Sequence, residues 1–296
     1  MANITLTTAD AFIPEEWSKS TLDAVEHGTN LAGRVNREFE GLIKNQGDTV
    51  RIPHVNNYDA HDKSASTDVT FYAITHGSTT ITINKHKYAA FKVEKIAERQ
   101  ALPGFVEKQT KKLGYALARQ RDVDLANLFQ GFSQTVGTLG VELVDTDYFT
   151  AWQKLAEAGA LQEDSVNSEI STFLSAAAYV AALKTDRFVN RDYAGEESAS
   201  ALRRANIGTI LGSPVYMSNL LRVPSAGQHD CAMFHKDAMA LCMQQDVMIE
   251  KDMIIESLAD AVVAHVIYGV AELVRPVETP ESASTTDNFA VWLKTV

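Results

Sequence analysis

The stretch from residue 49 to about 95 narrows the possible folds most, because two alternating segments flank a long polar interval. In Thr49-Val50-Arg51-Ile52-Pro53 the apolar residues alternate with polar ones as in a half-buried strand, and Pro53 suits an edge or a strand end. Residues 56 to 78 are dominated by Asn, Asp, Ser, Thr and His. Gly77-Ser78 closes the interval, and alternation resumes in Thr79-Thr80-Ile81-Thr82-Ile83 and at Ala89, Phe91 and Val93. The spacing predicts a two-stranded excursion over 49 to 95 with a soft tip near 57 to 70. Such a ribbon has too little area to bury and is marginal alone. It needs another surface.

Residues 1 to 47 pose a similar problem. Pro14-Glu15-Glu16-Trp17 suits a helix first turn, and Leu22, Val25, Leu31, Val35 and Phe39 continue an apolar pattern. Glycines at 28, 33 and 41 oppose one long helix. One short helix followed by an extended arm is expected.

Beyond residue 100 the pattern becomes more self-sufficient. Pro103-Gly104 precedes a helix expected over 105 to 131, with Leu113, Ala116, Leu117, Val123 and Ala126 near helical spacing and Gly131 as its stop. A second helix is expected over 147 to 158, a strand over 169 to 175, and an Ala-rich helix over 176 to 183. Two short strands should meet around Gly212-Ser213-Pro214. Cys231 to Phe234 reads as a strand, Asp237 to Gln244 as a short helix, and 261 to 274 as strand-rich. The class is α+β.

The chain has 296 residues, of which 45% are hydrophobic, enough for one large domain or two ordinary ones and inconsistent with global disorder. No run approaches the roughly 18 apolar residues of a membrane span, and the first residues lack a signal-peptide pattern. An intracellular product with no membrane partner is expected. Cys231 and Cys242 are the two cysteines, expected as free thiols. The net charge of −11 is uneven: Lys85 to Arg121 carries +7 and the remainder −18. That basic segment could face acidic surface on another copy or attract phosphates without reading bases.

Little in the sequence points to catalysis. No phosphate-cradling glycine motif, nucleophile elbow or His-Glu-x-x-His pattern occurs. His229, Cys231, His235 and Cys242 have metal-capable atoms but lack close zinc-ligand spacing, so core packing is the better reading of the cysteines. Glu15 with Glu16, and Asp145 with Asp147, are acid pairs of a kind that an acidic chain produces by chance. No catalytic residue, cofactor or metal is expected. Two alternatives stand beside this: an α+β enzyme in which some of Asp145, Asp147, His229 or His235 converge, and a non-specific nucleic-acid-binding protein with one exposed basic stripe over 85 to 121.

Taken in order, several segments resemble the major capsid (coat) proteins of tailed bacteriophages, which have the Hong Kong 97-like capsid fold. Pro14-Glu15-Glu16-Trp17-Ser18 through Leu31-Ala32-Gly33-Arg34-Val35-Asn36-Arg37-Glu38-Phe39 is similar to the family's amino-terminal arm. Gly47-Asp48-Thr49-Val50-Arg51-Ile52-Pro53 is similar to the entry into its extended loop, and Ile81-Thr82-Ile83-Asn84 with Tyr88-Ala89-Ala90-Phe91-Lys92-Val93 to the returning strand. Gly212-Ser213-Pro214-Val215-Tyr216-Met217-Ser218-Asn219, Tyr268-Gly269-Val270 and Val274-Arg275-Pro276 continue the match.

The resemblance implies an arm over 1–48, an extended β-hairpin loop over 49–95, and a peripheral domain with a long spine helix over 96–145. A mainly axial domain over 146–245 and return strands with a tail over 246–296 would follow. It implies a non-catalytic protein of the virion shell, assembled in the bacterial cytoplasm as pentamers and hexamers around double-stranded DNA. The implied partners are other copies, a portal protein, a separate scaffolding protein and a decoration protein. Trp17, Leu22, Val35, Phe39, Ile81, Ile83 and Phe91 are candidates for intersubunit or loop-base packing, and Lys108, Lys111 and Lys112 for charge facing DNA. No residue matches a crosslinking Lys or Asn.

Overall fold

Val50 and Ile52 lie in β1 (Thr49–His54), which pairs antiparallel with β2 (Gly77–Thr82), Val50 opposite the fully buried Ile81. In this computed structural model residues 28–43, 47–54, 60–71, 77–100, 105–161, 169–185, 207–274 and 289–296 are described. The two-stranded ladder stops at Thr82. The strand that follows, β3 (Lys85–Glu94), pairs instead with β10 (Ala259–Glu272), which in turn pairs with β9 (Met239–Ile254) in a three-stranded sheet. The expected excursion is thus shorter than 49 to 95, because the alternation at Ala89, Phe91 and Val93 serves a different sheet.

A short helix α1 (Lys95–Gln100) leads towards α2 (Phe105–Ala126), which lies on the three-stranded sheet and packs Leu113, Leu117 and Leu125 inward. The expected helix to residue 131 ends as an α-helix at Ala126 and continues as a 3-10 turn over Asn127–Gly131. Next come β4 (Gln134–Gly137) and α3 (Asp145–Glu157). Asp147 fixes the start of α3 by accepting the Val144 N–H at 3.0 Å. Gly159, at φ 77°, closes it while the Ala160 N–H bonds the Leu155 carbonyl at 3.0 Å.

The second, six-stranded sheet has the order β4-β11-β8-β5-β7-β6. Its members are β5 (Ile170–Leu174), β6 (Thr209–Ile210), β7 (Ser213–Met217), β8 (His229–His235) and β11 (Ala290–Thr295). Between β5 and β6, α4 (Ala176–Lys184) starts at Ser175, whose Oγ accepts the Ala178 N–H at 3.1 Å. Gly137 is required where β4 meets β11: its φ is 80° and a Cβ there would collide with the Lys294 carbonyl oxygen. Phe173 and Phe234 stack at 5.7 Å between ring centres, and Phe234 meets Phe129 at 5.8 Å. One continuous core joins both sheets.

Asp237 to Gln244 is not a helix: a 3-10 turn over Lys236–Ala238 opens directly into the 16-residue β9. Met239-Ala-Leu-Cys-Met is uniformly buried, and a short apolar run of good helix formers has no periodicity to separate buried strand from helix. β11 was not anticipated either, although it occupies the sheet interior between β4 and β8.

Candidate assembly surfaces

The expected arm is in part a built-in strap. Leu31 and Ala32 donate their backbone N–H groups to Asp122 of α2 at 3.1 and 3.3 Å. Burial pushes the Asp122 carboxyl up from its ordinary range, against the lowering effect of those two N–H groups and of Arg121. Asn36 donates to the Met239 carbonyl at 3.0 Å and accepts from the Leu241 N–H at 2.9 Å, adding one parallel bridge to the edge of β9. Its side chain donates to Asp237 at 2.7 Å. Val35 is buried in the main core, so the chain itself supplies the surface this candidate was expected to need. Trp17, Leu22 and the helix expected near them lie outside the described residues.

The base of the β1–β2 hairpin is held by a smaller cluster of Ile43, Val50, Ile81, Ala240, Cys242 and Leu273, with Phe39 and Ile83 packed at its side. Phe91 packs instead against the main core. Gly269 of β10 lets the hairpin cross closely, since a Cβ there would strike the Thr82 carbonyl oxygen. Farther out, Val69 and Phe71 are exposed, Phe71 at 94%.

The basic segment divides into two groups. Lys85 and Lys87 approach Asp124 Oδ2 at 3.3 and 3.9 Å, and Tyr268 donates its O–H to the same oxygen at 2.8 Å. Their acidic partner is in this chain, not on another copy. Lys108, Lys111, Lys112 and Arg119 fall within about 100° around α2. Lys108, Lys111 and Arg119 are exposed with no ion-pair partner among the described residues, and Lys112 is half-buried.

At the far end of the three-stranded sheet, β9 and β10 run past the helix. From Asp246 every residue of β9 is exposed, and Ile255, outside the strand, reaches 78%. Ile96, Met248, Ile249, Met253, Ile254 and Leu258 add apolar area there. Leu258 also takes φ 47°, a left-handed conformation costly for a branched side chain. Lys95 and Lys251 hold Asp260 at 2.6 and 2.7 Å. Charges at Glu250, Lys251 and Asp252 interrupt the open strand edge, which disfavours direct edge-to-edge pairing. The apolar faces and the turn are therefore the parts suited to contact. Sequence reading missed these residues because Met253-Ile254-Ile255 carries no mark distinguishing an exposed apolar run from a core one.

The candidate catalytic side chains do not converge. Asp145 and Asp147 serve the start of α3. His229 and His235 stand at opposite ends of β8, about 20 Å apart at strand rise. His235 accepts the Asp237 N–H at 3.2 Å and has Glu169 at 3.5 Å. Cys231 and Cys242 are buried on different sheets, and burial pushes the Cys231 thiol up to about 12. Among the described residues no three His, Cys, Asp or Glu side chains are placed to hold a metal. No described helix is long and apolar enough to cross a membrane.

No family model and no curated protein matches the chain. Solved structures do match it over almost their whole length. A structure from Mycobacterium phage Che8 is 24% identical with a TM-score of 0.76, covering 95% of this chain and 97% of its own. The head structure of Helicobacter pylori bacteriophage KHP40 is 12% identical with a TM-score of 0.75, covering 100% and 98%. The capsid structure of Cyanophage P-SCSP1u is 15% identical with a TM-score of 0.74, covering 98% and 94%. The α+β fold of this chain is the fold of those phage capsid and head structures.

Proposed function

We propose that this chain is a major capsid protein of a tailed bacteriophage, whose copies associate into an icosahedral shell in the virion. The observation that carries the reading is the fold match over almost the whole of both chains. The exposed apolar end of β9–β10 and the projecting hairpin supply what a shell protein needs, surface whose burial depends on neighbours. At roughly 25 cal/mol per Å², modest contacts repeated around each copy add up to a stable closed assembly.

The finer organisation belongs to the same proposal. Residues 1–48 would act as the arm, 49–95 as the extended loop with its hairpin ending at Thr82 and its return through β3 in the three-stranded sheet, 96–145 as the peripheral region with α2 as its spine helix, 146–245 as the mainly axial region, and 246–296 as return strands and tail. Pentamers and hexamers would be the building units, assembled in the host cytoplasm, with portal, scaffolding and decoration proteins as partners. Trp17, Leu22, Val35, Phe39, Ile81, Ile83 and Phe91 would serve intersubunit or loop-base packing, Val35 and Ile81 from within this chain's own clusters. Lys108, Lys111 and Lys112, joined by Arg119, would face packaged DNA and bind phosphates without sequence preference. The role is structural and non-catalytic.

Electron microscopy and sedimentation velocity of the purified protein over a concentration series test the reading. Rings, tubes or shells are expected above a threshold concentration. Protein that stays monomeric under every assembly condition would refute it.

A further inference from the structure

The face of the three-stranded sheet turned away from α2 carries a chain of hydrogen bonds that the assembly role does not use. Tyr268 of β10 points towards α2, where it reaches Asp124, so the alternating residues His265 and Ile267 point the other way. Across the β3–β10 ladder, His265 is opposite Tyr88 and Ile267 opposite His86, which sets the two histidines diagonally on one face. His86 Nε2 lies 3.3 Å from His265 Nδ1. On the other side of its ring, His265 Nε2 is 3.4 Å from Gln245 Nε2 and 4.0 Å from Glu250 Oε1.

These contacts assign the protons. With the Gln245 amide donating to His265 Nε2, that ring must carry its hydrogen on Nδ1 and donate it to His86 Nε2. The result is a neutral relay across β9, β10 and β3. We infer that His86 and His265 form a proton-sensitive clasp, closed when neutral and opened when both rings are protonated.

A first proton on His265 Nε2 displaces the Gln245 donor but gains Glu250 as an ionic partner. A second, on His86 Nε2, has no such partner among the described residues: it replaces the acceptor of the clasp with an N–H and sets two cations against each other. The remaining charged or titratable groups that strand alternation puts on this face are Tyr88, Lys92 and Glu94 of β3 and Asp252 of β9, while Lys85 and Lys87 lie on the opposite face with Asp124. Among the described residues no helix packs over the pair. Lys85 is the first residue of β3, three residues after the hairpin ends at Thr82, so loosening the clasp frees the strand from which the hairpin projects.

Hydrogen exchange over residues 85–94, corrected for intrinsic chemistry, measures this in the full chain. As the pH falls from neutral, exchange should rise roughly three- to tenfold. In His86→Gln and in His265→Gln, where two facing cations cannot form, the rise should fall to less than about half of that. A wild-type profile indifferent to pH, or a rise undiminished in both variants, would overturn the inference.

Discussion

The six-stranded sheet and the three-stranded sheet share one core, yet they finish differently. β5 is buried at all five positions and β8 at its five central ones, because strands flank both and helices cover them. β9 begins in the same way, buried from Met239 to Met243 where the strap at Asn36 and the hairpin base cover it, and then continues exposed to Ile254. Where the chain can supply both neighbours it completes its own interior. Where α2 and the strap run out, the strands project with apolar side chains uncovered, and under the proposed shell role neighbouring copies would cover them.

That contrast can be broken by substitutions on either side of it. The largest effect is expected from Phe234→Ala, which removes a fully buried ring packed between Phe129 and Phe173 and should cost about 3–5 kcal/mol in urea unfolding of the monomer. Asp122→Ala comes next. It leaves the Leu31 and Ala32 N–H groups buried without an acceptor, so it should cost roughly 1–3 kcal/mol and raise exchange selectively over residues 28–43.

Acid should loosen the open end in its own window. Hydrogen bonds and charge from Lys251 and Lys95 hold the Asp260 carboxyl below the usual carboxylate range. A depressed folded value means that this tie is intact above the ordinary carboxylate range and is lost as pH falls through the lowered value. Exchange over residues 251–260 should rise in that acidic window, and Lys251→Met should move the rise to higher pH. Leu258→Asn carries the smallest effect on folding. Asn accepts the left-handed conformation more readily, so monomer stability should rise by up to about 1 kcal/mol while assembly weakens.

The sequence made the self-contained region the more legible of the two. The second helix, the Ala-rich helix, the strand at 170–174 and the pair around Gly212 follow from periodicity and capping, and the structure places them within one or two residues. The segment 237–244 misled because Met239 to Met243 is apolar throughout, so burial rather than pattern decided its conformation. The strap was half-legible: Val35 showed as apolar, but its partners Asp122 and Met239 lie some 90 and 200 positions away. Lys85 and Lys87 showed their charge and not their acid, since Asp124 reaches them only once α2 lies across β3. The exposed end was hidden for a plainer reason, as an apolar residue reads the same whether its cover comes from its own chain or from the next.

The most direct test separates folding from association at that end. Ile255→Ser combined with Leu258→Ser removes two of its most exposed apolar side chains, and paired thermal unfolding and sedimentation velocity follow both properties in one preparation. The account predicts unfolding within about 0.5 kcal/mol of the parent, together with loss of the large assemblies expected of the parent. A variant that assembles as readily as the parent, or one that loses stability in proportion to its loss of assembly, would contradict it.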